Sequence, residues 1–417
     1  MKISTGIEGT YAPHNGNDTL AATRHYERAQ WRRDLSLIRR MGIEEFRYPI
    51  PWHRIEAREG RYDWRHMDDL VAVADRYGLS IIADPLHHTS YPSWLHGGFA
   101  SPRFAREYVR FVTACARRYP QITSYTPFNE PTCTLDFSGH RGFWHPYHTG
   151  DRSYVKMLRN TARATAEVIH VLLAQNSNVR IVHIDTFERH AALDDASVAR
   201  AEFLNERRFL FEELIRGKVH RDHRLVAYLR RNGFAQRDLD WHVEHPARID
   251  VRGGDYYPLC EEQLLRGVTH HAPSRDPVGL AAIAVEYAQR IDVPLSLTET
   301  NIQGTVRDRI SWLKYTLEQV ETLEQRGVRL QSFSWYPLFD CAGWHCLLQQ
   351  KKWKRDPQGI VSCDDGWRRV PTELTDHYAS IVRGVRSSDL PGYSFTQSQS
   401  EKLAPLTRQM KWRWQEQ

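Results

Sequence analysis

The stretch Ser124-Tyr125-Thr126-Pro127-Phe128-Asn129-Glu130-Pro131 decides how this chain is read. A short strand-favouring run closes on a carboxylate, and Pro131, which has no N–H, stiffens the exit. Pro294-Leu295-Ser296-Leu297-Thr298-Glu299 repeats the design. Strand-like runs recur along the chain at 2–7, 45–50, 79–85, 124–129, 179–186, 249–256, 294–299 and 330–336, eight in all. Between them lie amphipathic stretches, with Trp31, Leu35, Ile38 and Met41 on one face and Ile310, Leu313, Leu317 and Val320 on another. Gly42, Gly78 and Gly327 follow helix-like runs where a left-handed cap belongs. This alternation predicts an α/β fold, a single (β/α)8 TIM barrel whose right-handed crossovers leave every strand's C-terminal end on one face. Glu130, closing strand four, and Glu299, closing strand seven, share that face.

At 417 residues the chain has room for one such barrel with additions. The barrel is expected over 1–385, with an insertion between strands five and six at 187–248 that carries a helical pattern over Phe203 to Arg216. Residues 386–417 are rich in Ser, Gln and Pro, end near Lys411-Trp412-Arg413-Trp414, and read as a C-terminal tail that is docked or disordered.

Composition narrows the function. Hydrophobic residues at 41% and charged residues at 26% describe a globular core, and 13 Trp, 19 Tyr and 15 Phe supply flat apolar surfaces of the kind used to stack sugars, or equally a large aromatic core. A net charge of +6, scattered over this length, excludes a nucleic-acid partner. No apolar run reaches the roughly 18 residues a membrane span needs. Met1 to Ile7 lead straight into the first strand without a leader-like pattern, so a cytoplasmic protein is expected. The six cysteines show no zinc spacing, and Cys341 and Cys346 are expected as free thiols. His140, His145 and His148 match no metal signature on their Gly- and Pro-containing loop. No metal and no cofactor is expected; oligomeric state has no signature here.

Two carboxyl groups at facing strand ends are what retention at a glycosidic bond requires: one protonates the leaving oxygen, and the other attacks the anomeric carbon from about 5 to 5.5 Å away. Here the chain resembles the family 1 glycoside hydrolases, the β-glucosidase and β-galactosidase group, from about Gly6 to Tyr378. Thr126-Pro127-Phe128-Asn129-Glu130-Pro131 is similar to the family's Thr-Phe-Asn-Glu-Pro with an added proline, and Thr298-Glu299-Thr300-Asn301 to its Thr-Glu-Asn-Gly. The resemblance implies Glu130 as acid/base, Glu299 as nucleophile, and Asn129 reaching a sugar 2-hydroxyl.

Phe46-Arg47-Tyr48-Pro49-Ile50-Pro51-Trp52-His53-Arg54-Ile55 resembles Tyr-Arg-Phe-Ser-Ile-Ser-Trp-x-Arg-Ile and implies Arg47 beside the nucleophile, a charge that suits an attacking carboxylate. Leu86-His87-His88-Thr89-Ser90-Tyr91-Pro92 resembles Leu-Tyr-His-Trp-Asp-Leu-Pro and implies that His88, rather than His87, binds a sugar hydroxyl. Asp250-Val251-Arg252-Gly253-Gly254-Asp255-Tyr256-Tyr257 resembles Asp-Phe-Ile-Gly-Leu-Asn-Tyr-Tyr and implies that Tyr257 bonds the nucleophile, with Asp255 in place of asparagine, a new charge or a partner for Arg252. The strand-eight run Phe333 to Asp340 resembles Trp-Ser-Leu-Leu-Asp and implies Trp335 as the platform under the sugar, with Trp344 a second substrate contact.

The departures are as informative. Cys341-Ala342-Gly343-Trp344-His345 has no acidic residue where the family grips the 4- and 6-hydroxyls, and Ile7-Glu8-Gly9-Thr10-Tyr11 lacks the sugar-gripping glutamine. Lys351-Lys352-Trp353-Lys354-Arg355 stands where phosphoglycosidase relatives hold a phosphate, although charge runs are more often solvated faces. The reading is a retaining β-glycosidase acting on a small-molecule glycoside, small or modified, through two glutamates. The rivals are a retaining family of the same clan, of β-galactosidase or xylanase type, a transglycosylase, and a non-catalytic carbohydrate-binding barrel.

Overall fold

In the computed structural model the described residues are 1–270, 274, 276–351 and 354–404, so Lys352, Trp353 and the Lys411 to Trp414 stretch lie outside them. Eight strands close into a parallel barrel: β1 (Lys2–Gly6), β2 (Glu45–Pro49), β3 (Ser80–Asp84), β4 (Ser124–Tyr125), β5 (Arg180–Thr186), β6 (Val251–Asp255), β7 (Leu295–Glu299) and β8 (Leu330–Trp335). Each pairs with its sequence neighbours, and β1 closes the ring between β8 and β2, with Gly6 opposite Arg47. This is the (β/α)8 TIM barrel, with the C-terminal strand ends on one face.

The helices follow from the same apolar spacing. Helix α1 (Arg28–Arg40) buries Trp31, Leu35 and Ile38 against the barrel and carries Arg39 and Arg40 in its last turn, where cations suit the helix dipole. Burying a side chain of this kind contributes about 1.5–3 kcal/mol. Helices α2 (Arg65–Arg76), α3 (Phe104–Arg118) and α4 (Asp151–Gln175) cover the next units. Gly42 and Gly78 take φ of +82° and +66° just past α1 and α2.

Strand four is shorter than its sequence suggests. Regular pairing stops at Tyr125 because Pro127 has no N–H to donate. The chain nevertheless returns to the barrel at Asn129, which bridges His87 and Ile184, and Glu130 N donates to Ile184 O at 3.1 Å.

The segment between β5 and β6 contains α5 (Asp195–Arg207), α6 (Leu210–Ile215), α7 (Val226–Arg231) and α8 (Gln236–Glu244). The single helical pattern expected over Phe203 to Arg216 is broken at Arg208 and Phe209. Arg207 reaches Asp136 and Arg208 reaches Glu286, each at 2.6 Å, and these tertiary bonds outweigh continuing the helix. A strand at Arg189–Ala192 pairs in parallel with Glu261–Leu265, which pairs with Val268–His270, forming a side sheet beyond the ends of β5 and β6.

Helices α9 (Leu280–Arg290), α10 (Val306–Gln325) and α11 (Glu373–Val382) complete the ring; α10 opens with a capping box between Thr305 and Asp308. Residues 386–404 lie along α10. The buried Lys314 ammonium donates to Ser387 O at 2.8 Å and Leu390 O at 3.4 Å, Ser394 N donates to Ser311 Oγ, and Thr396 N to Asp308. All six cysteines are free. Among the described residues no helix is long and apolar enough to cross a membrane.

Candidate active site

Glu130 leaves the ragged end of β4 with φ +45°, an uncommon conformation for a residue with a side chain. Two hydrogen bonds hold it there, its own N–H to Ile184 O and its carbonyl accepting from Thr134 N at 2.9 Å. Glu299 ends β7, opposite Asp255 on β6. Carboxylate oxygens of Glu130, Glu299 and Asp255 lie within 4.8 Å of one another, and all three residues are buried. The trio of oxygens invites comparison with a cation site, but acidic groups alone do not make one.

Arg47, from β2, stands beneath them. Its guanidinium donates to Glu299 Oε1 and, at 2.6 Å, to Asn129 Oδ1, and stacks 4.4 Å from the Tyr336 ring centre. The fork of one arginine therefore fixes both the nucleophile candidate and the amide beside the acid candidate. The Tyr257 hydroxyl donates to Glu299 Oε2. Arg47, Asn129, Tyr257 and the two glutamates are thus one cluster.

Burial pushes the Glu130 carboxyl well above the usual carboxylate range, and the nearby charges of Asp255, Glu299 and Asp185 add to it against Arg47. Asp185, which accepts from Thr132 Oγ1 at 2.6 Å, is itself pushed up to about 7, chiefly by burial.

His88, at φ +50°, lies 3.6 Å from Glu130 Oε2 through Nε2 and contacts Thr134 Oγ1 at 2.9 Å through Nδ1. Burial and the neighbouring His87 charge hold it well below its usual value, so the ring is neutral. Its edge meets Trp144 at 5.1 Å and Trp344 at 5.4 Å, and the two indoles are 6.1 Å apart. Trp344 is half-buried and faces this box.

Trp335 is not in the cluster. Ser332 and Ser334 face the barrel interior, so Trp335 points outward; it is fully buried, with Nε1 donating to Gln358 O at 2.8 Å. The aromatic residue at the site is its neighbour Tyr336. Period-two alternation at the end of β8 carries this one-residue difference, and the strand-eight motif, read one place early, hides it.

Tyr336 lies over Gly6, and its hydroxyl donates to Ile7 O at 3.0 Å and meets Glu8 Oε2 and His87 Nε2, each at 3.2 Å. His87, not expected to take part, bridges Asp84 Oδ2 at 2.7 Å and Glu8 Oε2 at 3.0 Å. Burial works against its charge, but the two carboxylates outweigh it and push His87 up to about 10; in return the imidazolium holds Glu8 below the ordinary carboxylate range against its own burial. Trp144, Tyr336, Asp84 and the charged His87 had no distinguishing spacing in the sequence; only the alternation after Trp335 could have pointed to one of them.

Arg252 does not pair with Asp255. It meets Glu212 at 3.1 Å and donates to the carbonyls of Asp185, Gly253 and Thr186. Asp255 Oδ1 instead accepts from Thr298 Oγ1 at 2.7 Å. In the lumen below, a cavity of about 350 Å³ is lined by Lys2, Glu45, Arg47 and Arg180.

Comparison with known proteins bears on the fold and the family. A β-glucosidase of an Agrobacterium strain is 32% identical over 178 residues, 40% of this chain and 35% of that protein. β-Glucosidase 1B of Phanerodontia chrysosporium is 28% identical over 150 residues, 33% of this chain and 27% of that protein, so the matches span about a third of these relatives' lengths. β-Glucosidase A of Thermotoga maritima is 21% identical over 365 residues, 79% of this chain and 81% of its own. A solved β-glucosidase from Thermotoga maritima in complex with azafagomine superposes with a TM-score of 0.76 at 17% identity, covering 92% of this chain and 97% of that one, a likeness of fold. The sequence profile described as glycosyl hydrolase family 1 matches residues 9–222, more than half of the 417, and on that match and the barrel together the chain belongs to glycosyl hydrolase family 1.

Proposed function

We propose that this protein is a retaining β-glycosidase that hydrolyses a small-molecule glycoside by double displacement. The observation that carries the reading is the approach of the Glu130 and Glu299 carboxylate oxygens to within 4.8 Å, with Arg47 and Tyr257 both donating to Glu299. Paired carboxyls at about 5 to 5.5 Å belong to retention, since inversion needs about 6.5 to 9.5 Å to admit a water. Glu130, kept protonated by burial and the neighbouring negative charge, gives its proton to the leaving oxygen while Glu299 attacks the anomeric carbon. Water then enters with Glu130 as base, and the glycosyl-enzyme bond breaks. Arg47 and Tyr257 hold the attacking oxygens in place through both steps.

The sugar read by this site differs from plain glucose or galactose. Support comes from the Cys341 to His345 turn, which carries no carboxylate, and from the Tyr336 ring lying over Gly6 at the end of β1. A site discriminates by the hydrogen bonds it can complete, so a deoxy or otherwise modified ring suits it. Across a panel of aryl β-glycosides, fastest turnover on the plain β-glucoside would remove this part of the reading.

The decisive experiment is Glu299→Gly. Hydrolysis of an aryl glycoside should fall to background, and azide should restore turnover with formation of the inverted glycosyl azide. Substantial activity in the variant without azide would show that Glu299 is not the nucleophile.

A further inference from the structure

Asp255 is fully buried, yet it has one oxygen to spare. Oδ1 accepts from Thr298 Oγ1 at 2.7 Å, whereas Oδ2, also out of contact with solvent, has no hydrogen-bond partner among the described residues. Leaving a buried polar atom unsatisfied is costly, so a free one beside two catalytic carboxyls calls for a ligand.

The surroundings settle which form of the carboxyl can persist. Thr298 and Glu299 face Asp255 from β7, Arg47 from β2, Glu130 from the end of β4 and Thr186 from β5, while Asp185 bears on Glu130; Arg252 and Tyr257 lie on its own segment, and Cys260 Sγ contacts its carbonyl. Arg47 is committed to Glu299 and Asn129, and Arg252 to Glu212 and three carbonyls. Three carboxyls within 4.8 Å with one arginine among them cannot all be ionised.

We infer that Asp255 is a further substrate-binding residue that works as an uncharged acid, its Oδ1 accepting from Thr298 and its Oδ2–H donating to an oxygen of the sugar bound between the two glutamates. A neutral carboxylic acid offers one acceptor and one donor, the pair an asparagine side chain would present. The direction of its titration agrees: burial and the Glu299 charge raise Asp255 well above the ordinary range. Losing that proton would place a carboxylate against the ring oxygens and the attacking carboxylate, so activity ends on the alkaline side for two reasons, Glu130 and Asp255. This inference rests on the glycosidase reading.

The test compares kcat/KM against pH for the wild type and Asp255→Asn on an aryl glycoside. The wild type should fall on the alkaline side with the second power of proton concentration, and the variant with the first. The readout is the power of the alkaline limb and not the level of kcat/KM, which exchanging the acid for an amide at a sugar contact should lower by a constant factor. An unchanged alkaline limb overturns the inference. Difference infrared spectroscopy reads the proton without turnover: the carbonyl stretch of a buried protonated carboxyl should be present in the wild type at neutral pH and lose one component in Asp255→Asn. No such loss overturns it as well. Should Asp255→Asn fail to fold, Thr298→Val takes its place and should raise KM with the second-power limb retained; a first-power limb in that variant counts against Asp255. Failure of azide rescue at Glu299, by contrast, would undo the glycosidase reading and leave the infrared result standing.

Discussion

Arg47 and Asn129 meet at 2.6 Å, side chain to side chain, across 82 residues of sequence, and the same guanidinium reaches Glu299. The amide therefore keeps its nitrogen free: Asn129 Nδ2 is buried with no partner among the described residues. The strand-two arginine orients the amide that borders the acid and grips the nucleophile at once.

Arg47→Lys should consequently be far from conservative. A lysine ammonium is a point charge that cannot span both partners with fork geometry. We expect kcat/KM to fall by about a hundredfold or more. Arg47→Ala should also unfold at lower denaturant, since removing one partner of a buried ion pair costs about 3–5 kcal/mol. Both are read by aryl glycoside kinetics and urea melts.

His87 gives a prediction about pH and stability. Its charged form is favoured in the folded protein, pushed from 6.5 up to about 10, so its contribution is fully present below 6.5 and is lost as pH rises through 10. Against His87→Gln, the wild type should hold a stability advantage at pH 6 that shrinks steadily toward pH 10. Urea midpoints measured at several pH values give the curve, and a constant gap would contradict the bridge to Asp84 and Glu8.

Trp144 and Trp344 box the edge of His88 beside Glu130, and the glycosidase reading makes them one wall of the substrate site. Trp344→Ala should raise KM for aryl glycosides about tenfold with a smaller change in kcat, because stacking area is lost in ground and transition states alike. Equal KM values would mean that the indole packs only against protein.

Lys314 is buried in α10 and its ammonium is held by carbonyls of Ser387 and Leu390. Lys314→Ala should free the 386–404 segment from α10, costing about 1.5–3 kcal/mol in charged hydrogen bonds. Limited proteolysis should then cut between Arg386 and Leu403 earlier than in the wild type, with aryl glycoside activity little changed.

The barrel was legible because its signal is repeated: eight apolar runs alternating with 3.6-period helices admit few other folds, and glycines past α1 and α2 mark helix ends. The cluster of Arg47, Asn129, Glu130, Tyr257 and Glu299 was legible because each lies on a barrel strand or just past its end, inside a motif. Other features had no local signature. Pro127 cuts the ladder of β4 while the fold keeps Asn129 in register through Ile184, a tertiary rescue. Trp335 and Tyr336 differ by one residue, and facing into the barrel or away from it depends on register alone. The His87 charge arises from Glu8, 79 positions away.

Gly6 and Tyr336 are fitted to each other: a Cβ on Gly6 would stand 2.5 Å from the Tyr336 ring carbons Cδ2 and Cε2. Any side chain restored at the end of β1 collides with the tyrosine, and trimming the tyrosine alone leaves a void and strips Glu8 and His87 of its hydroxyl. Substitution at either position therefore passes through a destabilised single variant. Either change is harmful by itself and compensated only by the other, so the two positions are energetically coupled and exchange as a pair.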